Sequence, residues 1–531
     1  MIIYHISFFC KTLFVQFFES AIILSVIYNK GEFIFMSSTT KKIGLMSLVM
    51  MIISSIYGFA NTPRAYMQMG YASIIWYIIA ALVFFLPVSL MLAEYGSSFK
   101  EAKGGIYSWL EESIGEKWAF IGTFIWLSAW IIWLVQSASS FCIPLSSMIF
   151  GKDTTPSWHL FGLNSVETLG VIGIGWVIIV TLFSSRGMDA ITKISTVGGF
   201  FNISLNVLFL VISLLVLLFN KGHLAEPISG MSSFINSPNA EFSTPIAMIS
   251  FIVYAIFAYG GMETMGGIMD SIDKPEKTFP RGIMLATIFI GVGYAITIFM
   301  WGFSTNWQQV FGSGKVTLGN VTYVLMGNLG VAFGNAIGVS HHTALLFGSL
   351  MTRYTGLSIL LAVMGSFFIM TYSPIKSFIL GSDPRLWPAK VTKLNDAGMP
   401  AYAMWIQAVI VCIFIFFISF GGPAAGKFFT ILTNMSNVST TFPYLFLVGA
   451  FPFFKKLKNI DRPFVFFKNK FWTNVIVALC LIVLSGGILF TVIQPIIEHQ
   501  YNNAFWTIIG PIFFGGVALV FYEVANRKRS K

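Results

Sequence analysis

Two short stretches of this 531-residue chain combine helix-breaking residues with groups able to bind a charged molecule. The first, Ser54-Ser-Ile-Tyr-Gly-Phe-Ala-Asn-Thr-Pro63, sets Gly58 and Pro63 inside an apolar run. The second, Phe257-Ala-Tyr-Gly-Gly-Met-Glu263, sets paired Gly260 and Gly261 inside another, with a carboxylate just beyond. Proline removes an amide donor and glycine weakens a helix, so each run is expected to break. A broken helix exposes N–H groups that favour an anion and C=O groups that favour a cation. A molecule carrying both charges, such as an α-amino acid, suits that pair. Two structural kinks are the alternative, because glycine and proline are frequent in membrane helices.

Other residue types offer less chemistry. Cys10, Cys142, Cys412 and Cys480 lie in apolar stretches without CxxC spacing, which reads as buried small hydrophobes and implies neither zinc nor a disulfide framework. HExxH and GxSxG are absent, and no acidic or histidine cluster falls within the apolar runs, which argues against an enzyme. No ring-forming selectivity segment suggests a channel. His341 and His342 are sequence neighbours, so on a helix they point apart and read as surface histidines.

The elements that must position the two breaks follow from composition. Only 10% of residues are charged against 56% hydrophobic, and mean hydropathy is +0.79. A soluble domain is about 25% charged, so this chain could not cover its surface in water. The apolar residues come in long blocks, and a hydrocarbon core needs about 20 apolar residues per helix. Barrel strands would alternate over about ten. The expected fold is therefore all-α and membrane-integral.

Twelve spans are expected, at 43–69, 72–94, 119–148, 167–185, 194–219, 245–270, 282–303, 354–381, 401–420, 428–451, 472–492 and 505–525. Placing Met36–Lys42 in the cytoplasm puts 24 of the 32 Lys and Arg residues on the cytoplasmic side and six outside, with two preceding Met36. That bias obeys the positive-inside rule, so both termini are expected inside and the net +11 reads as a cytoplasmic collar, not a nucleic-acid patch. Residues 1–35 read as an upstream extension without a fold role, with an extra membrane segment as the alternative, and 36–531 as the functional domain. The segment 304–353 is expected outside, as one or two short helices over the outer face. Glu94 and Glu523 sit at span ends as solvated anchors. Glu263 is different: a carboxylate near the bilayer centre costs about 2.5–3.5 kcal/mol, so it needs a partner, water or a proton.

The breaks open the first and second five-span halves, 43–219 and 245–451, with 472–525 adding two helices. Corresponding breaks in two halves point to the binding site of a secondary transporter. At these residues the chain resembles the amino acid–polyamine–organocation transporter superfamily, in particular its glutamate:GABA antiporter branch. The resemblance rests on Pro87-Val-Ser-Leu-Met-Leu-Ala-Glu94 followed by Gly104-Gly-Ile-Tyr-Ser-Trp-Leu110. It rests also on Ala258-Tyr-Gly-Gly-Met-Glu263 followed by Asp273-Lys-Pro-Glu-Lys-Thr-Phe-Pro-Arg281, and on Trp387-Pro-Ala-Lys with Asn395-Asp-Ala-Gly-Met-Pro400.

The resemblance implies twelve helices in two inverted five-helix repeats plus two, broken first and sixth helices, and alternating access without a cofactor or metal. It implies exchange of amino acids, as small-molecule substrates, across the cell membrane of a bacterium, with proton-coupled uptake of an amino acid or polyamine as the alternative. It places Tyr57, Gly58, Phe59 and Ala60 beside the substrate carboxylate. Ser128, Ala129 and Trp133 face the substrate from Trp126-Leu-Ser-Ala-Trp-Ile-Ile-Trp133, as do Phe257, Ala258, Tyr259, Gly260 and Gly261 from the sixth span. Glu263 takes a gating and proton-responsive role. Ile56 and Tyr57 replace the family's Gly and Ser, which narrows the pocket. Span five carries no lysine, only the interior amides Asn202 and Asn206, which favours exchange over fixed-charge coupling. Arg64, just past the first break, greets an anionic side chain or anchors the outer end. The sequence leaves the oligomeric state open.

Overall fold

The computed structural model describes residues 43–529, except 101–103, 313–315, 422 and 498. The expected extension at 1–35 lies outside the described residues. All regular elements among the described residues are helical, joined by one isolated bridge between Ile43 and Ile272.

The first expected span is two pieces, α1 (Leu45–Ile56) and α2 (Asn61–Met69), flanking an unwound turn. A tight turn at Gly70–Ala72 leads to α3 (Ser73–Ala80), then one wide π-type turn at Ala81–Phe85, then α4 (Leu86–Ser98). Next come α5 (Ile106–Ile114), α6 (Glu116–Ser140), α7 (Cys142–Phe150), α8 (Ser165–Ser184) and α9 (Met188–Phe219). The second break follows α10 (Pro245–Ala258) and continues as a narrow 3₁₀ segment, Met262–Ser271, before α11 (Pro275–Trp301). The remaining long helices are α12 (Val321–Ala336), α13 (His341–Ile375), α14 (Ala401–Phe420), α15 (Pro423–Phe454), α16 (Lys470–Ile497) and α17 (Tyr501–Arg529).

Local chemistry sets the starts. Asn164 and Glu167 form a reciprocal cap on α8, with side-chain-to-amide bonds of 3.0 and 2.8 Å. Thr244 accepts from the Ala247 amide at 3.2 Å and Pro245 opens α10, where its missing N–H costs nothing.

Ten helices among the described residues are long and apolar enough to cross a membrane. The pattern of exposure fits a hydrocarbon solvent: Leu214, Ile288 and Ile482 face outward, whereas Glu94, Asn202 and Glu263 are buried. Two expectations are corrected. Of the segment 304–353, Trp307–Phe311 and α12 are the expected short helices, but residues 341–353 are not part of that set. They form the first third of α13, which runs on to Leu380, so the eighth span begins at His341 rather than near 354. Thr352 on α13 donates to the Tyr323 carbonyl on α12 at 3.3 Å, tying that hairpin together. His341 and His342 are exposed on its first turn.

The second correction is Glu94. It is fully buried, paired with Lys455 at 2.7 Å, and accepts from the Phe466 and Phe467 amides at 2.8 and 2.7 Å. The expectation of a solvated anchor failed because the loop after α15 folds back over it. Glu523, by contrast, makes a half-exposed pair with Lys117 at 2.7 Å.

The end of the bundle carrying Ile43 is closed by backbone. The Asp273 amide donates to the Ile43 carbonyl at 3.0 Å. Gly105, at φ +50°, packs so tightly that an added Cβ would lie 2.7 Å from the Gly266 carbonyl carbon. At the opposite end Trp307 Nε1 lies 3.1 and 3.0 Å from the Tyr66 and Met67 carbonyls.

Candidate functional site

The two breaks meet. Ile56 ends α1 and Ala258 ends α10, so each carries a carbonyl released from its helix. Both carbonyl oxygens lie 3.0 Å from the hydroxyl of Tyr294, in the middle of α11. The same hydroxyl accepts from the Gly58 amide and from Asn61 Nδ2, each at 3.1 Å. Asn202 on α9 donates to the Tyr57 carbonyl at 3.1 Å. The freed groups of the first break are thus met by side chains from two other helices, as burial without water requires.

Glu263 sits one turn past the second break and is 4% exposed. Its carboxyl accepts from Trp126 Nε1 on α6 at 3.1 Å and from the Gly261 amide at 3.2 Å. Tyr444 on α15 donates its hydroxyl to the same group, and that hydroxyl accepts from the Gly261 amide at 3.0 Å. Gly261 holds φ +114°, where a side chain would be strained, and this turn aims its amide back at both oxygens. Among the described residues Glu263 has no basic partner.

The structure distributes the expected site residues unevenly. Gly58, Ala258, Gly260, Gly261 and Glu263 lie at the meeting of the breaks. The Tyr57 ring turns toward α11, stacking on Tyr294 with centroids 4.6 Å apart and bonding Thr297 Oγ1 at 2.6 Å. The narrowing expected of that ring is therefore not where the sequence put it; only its backbone belongs to the break. Phe59 packs edge-on to Phe209 and Trp301 in an aromatic core behind α2, and Ala60 caps that helix. Tyr259 stacks on Phe85 at 4.5 Å and donates to the Tyr77 carbonyl at 3.2 Å.

Phe257 is 37% exposed. On α6, Trp133 shares the face of Trp126, since seven residues are about two turns. Accessibility along that face rises from buried Trp126 through half-buried Trp130, Trp133 and Ser137 to exposed Ser140, away from the Ile43 end. Ser128 lies about 200° round the helix from Trp126 and bonds its own helix at the Phe124 carbonyl, while Ala129 is fully buried. Arg64 donates to the Leu318 carbonyl at 2.9 Å, as an anchor would.

Sequence reasoning missed Tyr294 and Tyr444, and quoted Trp126 without a role. The available signal was a hydroxyl or indole donor inside an apolar span, but the chain has 18 tyrosines and 14 tryptophans. Nothing local separates these from packing aromatics. No group of three or more His, Cys, Asp or Glu side chains able to hold a metal occurs among the described residues.

Comparison with known proteins agrees with this architecture. The sequence pattern of the family described as "Amino acid permease" matches residues 43–514. The chain is 47% identical over 496 residues to "Inner membrane transporter YjeM" of Salmonella typhimurium, covering 93% of this chain and 98% of that one. It is 23% identical over 506 residues to "Aspartate/glutamate permease AcaP" of Lactococcus lactis, covering 93% and 97%. It is 22% identical over 430 residues to a "Glutamate/gamma-aminobutyrate antiporter" of the same species, covering 79% and 77%. With two broken apolar helices meeting at a buried carboxylate and nearly the whole length matched, the chain belongs to the amino acid permease family.

Proposed function

We propose that this protein is a secondary active transporter that exchanges amino acids across the bacterial cytoplasmic membrane by alternating access, in the manner of a glutamate:GABA antiporter. The observation that carries the reading is the meeting of both breaks beside Glu263, because it assembles freed N–H and C=O groups and one carboxyl at one buried place. In this reading α1 with α2 forms the first span and α15 the tenth, which brings the ten long helices to twelve in two inverted five-helix repeats plus two. The Ile43 end faces the cytoplasm with both termini, and its backbone seal is the closed inner gate. Gly58 and the Tyr57 backbone serve the substrate carboxylate. Ala258, Gly260 and Phe257 line the substrate, with Trp133 on the opposing helix, and Glu263 gates.

A second reading is proton-coupled uptake of an amino acid or polyamine. It is favoured by Glu263, which among the described residues has hydrogen-bond donors but no basic partner and is free to carry a proton.

Proteoliposome assays separate the two. Competition of unlabelled amino acids for uptake identifies the substrate. Exchange predicts that vesicles preloaded with it take up label several-fold faster than empty ones. The second reading predicts uptake into empty vesicles driven by an imposed pH gradient. Unsaturable flux indifferent to either condition would overturn both.

A further inference from the structure

Residues 455–469 join α15 to α16, and side chains tie this connection down along its length. The Phe466 and Phe467 amides rest on the buried Glu94 carboxylate, whose other oxygen meets Lys455. The Phe467 ring packs edge-on to Phe451 in the last turn of α15, with centroids 5.4 Å apart. Arg462 donates to the Phe454 and Leu457 carbonyls, each at 2.8 Å, and so serves acceptors that the end of α15 leaves free. The far part of the connection is thereby folded back onto the helix end from which it started.

Lys455 and Arg462 are used in building this fold. Four further basic residues are not: Lys456, Lys458, Lys468 and Lys470 are exposed, and none makes an ion pair among the described residues. The fold-back carries Lys468 and Lys470, just past Phe467, to the helix end that bears Lys456 and Lys458. Asp461 is the one acid in the connection, so the charge left over is strongly positive. The positive end of the α16 dipole adds to it. Large apolar rings stand among these charges: Phe453, Phe466, Phe471 and Trp472 are all exposed. A soluble anion would engage the lysines and leave the rings in water. A bilayer surface takes both, because headgroup phosphates meet the lysines while the rings enter the acyl boundary.

We propose that the connection between α15 and α16 is a binding site for an anionic phospholipid. Lys456, Lys458, Lys468 and Lys470 gather around its phosphate, and the exposed rings lie against its acyl chains. Bound lipid braces the segment that covers Glu94, so it stabilises the fold. The proposal requires a chain that crosses a membrane and is independent of substrate and of orientation.

The test melts the purified full chain in detergent, followed by tryptophan fluorescence, with phosphatidylglycerol or phosphatidylcholine of the same acyl chains added to the micelles. Inorganic phosphate alone is the third arm. Phosphatidylglycerol is expected to give a saturable rise of roughly 2–4 °C over phosphatidylcholine, and phosphate none. Changing the four lysines together to glutamine should leave melting in lipid-free detergent unchanged and abolish that rise. If this variant does not purify, the pairs Lys456→Gln with Lys458→Gln and Lys468→Gln with Lys470→Gln should each lose part of it. A control with Lys274, Lys277, Lys390 and Lys393 changed to glutamine removes equal charge at other exposed positions and should keep the rise. A wild type indifferent to phosphatidylglycerol overturns the proposal, as does a rise that phosphate alone reproduces. A lysine variant that keeps the full rise, or a control that loses as much, overturns it too. Transport plays no part in the readout, so this proposal and the exchange reading fail separately.

Discussion

Glu263 takes hydrogen bonds from three donors on three elements, yet no charge among the described residues balances it. If it carries or gates a proton, Glu263→Gln retains the shape and most of the hydrogen bonds while abolishing titration. The expected outcome is uptake whose rate no longer varies between acidic and neutral pH. A pH profile identical to that of the wild type removes Glu263 from the mechanism. Asn202 makes a more structural contribution. It is buried and serves the Tyr57 carbonyl, so Asn202→Ala orphans an acceptor in a dry place. The expected loss is about 1–3 kcal/mol, seen as a lower melting temperature in detergent. At this scale the sequence exposed the residues that are unusual locally, Glu263 in an apolar run and glycines in a helix. It did not expose Tyr294 or Tyr444, because a tyrosine becomes functional only through what it faces, and Tyr294 meets Gly58 from 236 positions away.

The elements break where backbone chemistry demands, between Ile56 and Asn61 and again at Gly260 and Gly261. Hydropathy and helix propensity are local, so both breaks were legible. The span boundaries were less so. The stretch from Gly327 to Gly348 is rich in small residues, which lowers its hydropathy, and small residues are what let α12 and α13 pack closely in a membrane. Glu94 shows the same limit: its place near a span end suggested water, and only the returning loop after α15 reveals burial. Glu94 is the buried member of that pair and Lys455 is partly exposed, so removing the lysine leaves an uncompensated buried charge. Lys455→Met is expected to cost about 3–5 kcal/mol, read as loss of monodisperse protein or a large fall in melting temperature. The double change Glu94→Gln with Lys455→Met should restore much of it, and a double variant no better than the single would refute a pairwise role.

At the scale of the whole molecule, the Ile43 end is held by a second, wetter network. Arg529 near the end of α17 pairs with Glu116 on α6 at 2.7 Å and with Asp383 at 3.3 Å. Arg385 bonds the same carboxylate at 2.6 Å and holds its titration down at about 2, below the ordinary carboxylate range. Because the folded value is depressed, the tie is fully present above the ordinary carboxylate range and is lost as pH falls through about 2. Protection factors in the last turn of α17, the intrinsic pH-dependent exchange rates divided by the observed ones, should therefore stay constant from neutral pH down to the carboxylate range and fall only below it. Arg529→Ala should cost under about 1 kcal/mol, far less than breaking the buried Glu94 pair. A cost as large as that of Lys455→Met would show this network to be drier than its exposure implies.

What the sequence determined by itself is the class of molecule and the places where its helices cannot continue. Composition forces the backbone to satisfy itself in lipid, and glycine and proline say where it fails to do so. Which groups then answer the freed amides and carbonyls was decided by the tertiary structure alone. Tyr294, Tyr444, Trp126 and Asn202 come from four helices distant in sequence, and hydrogen bonding is a matter of angle and separation in space. No residue's type or neighbours along the chain encode that separation, so the breaks could be read from the sequence and their partners could not.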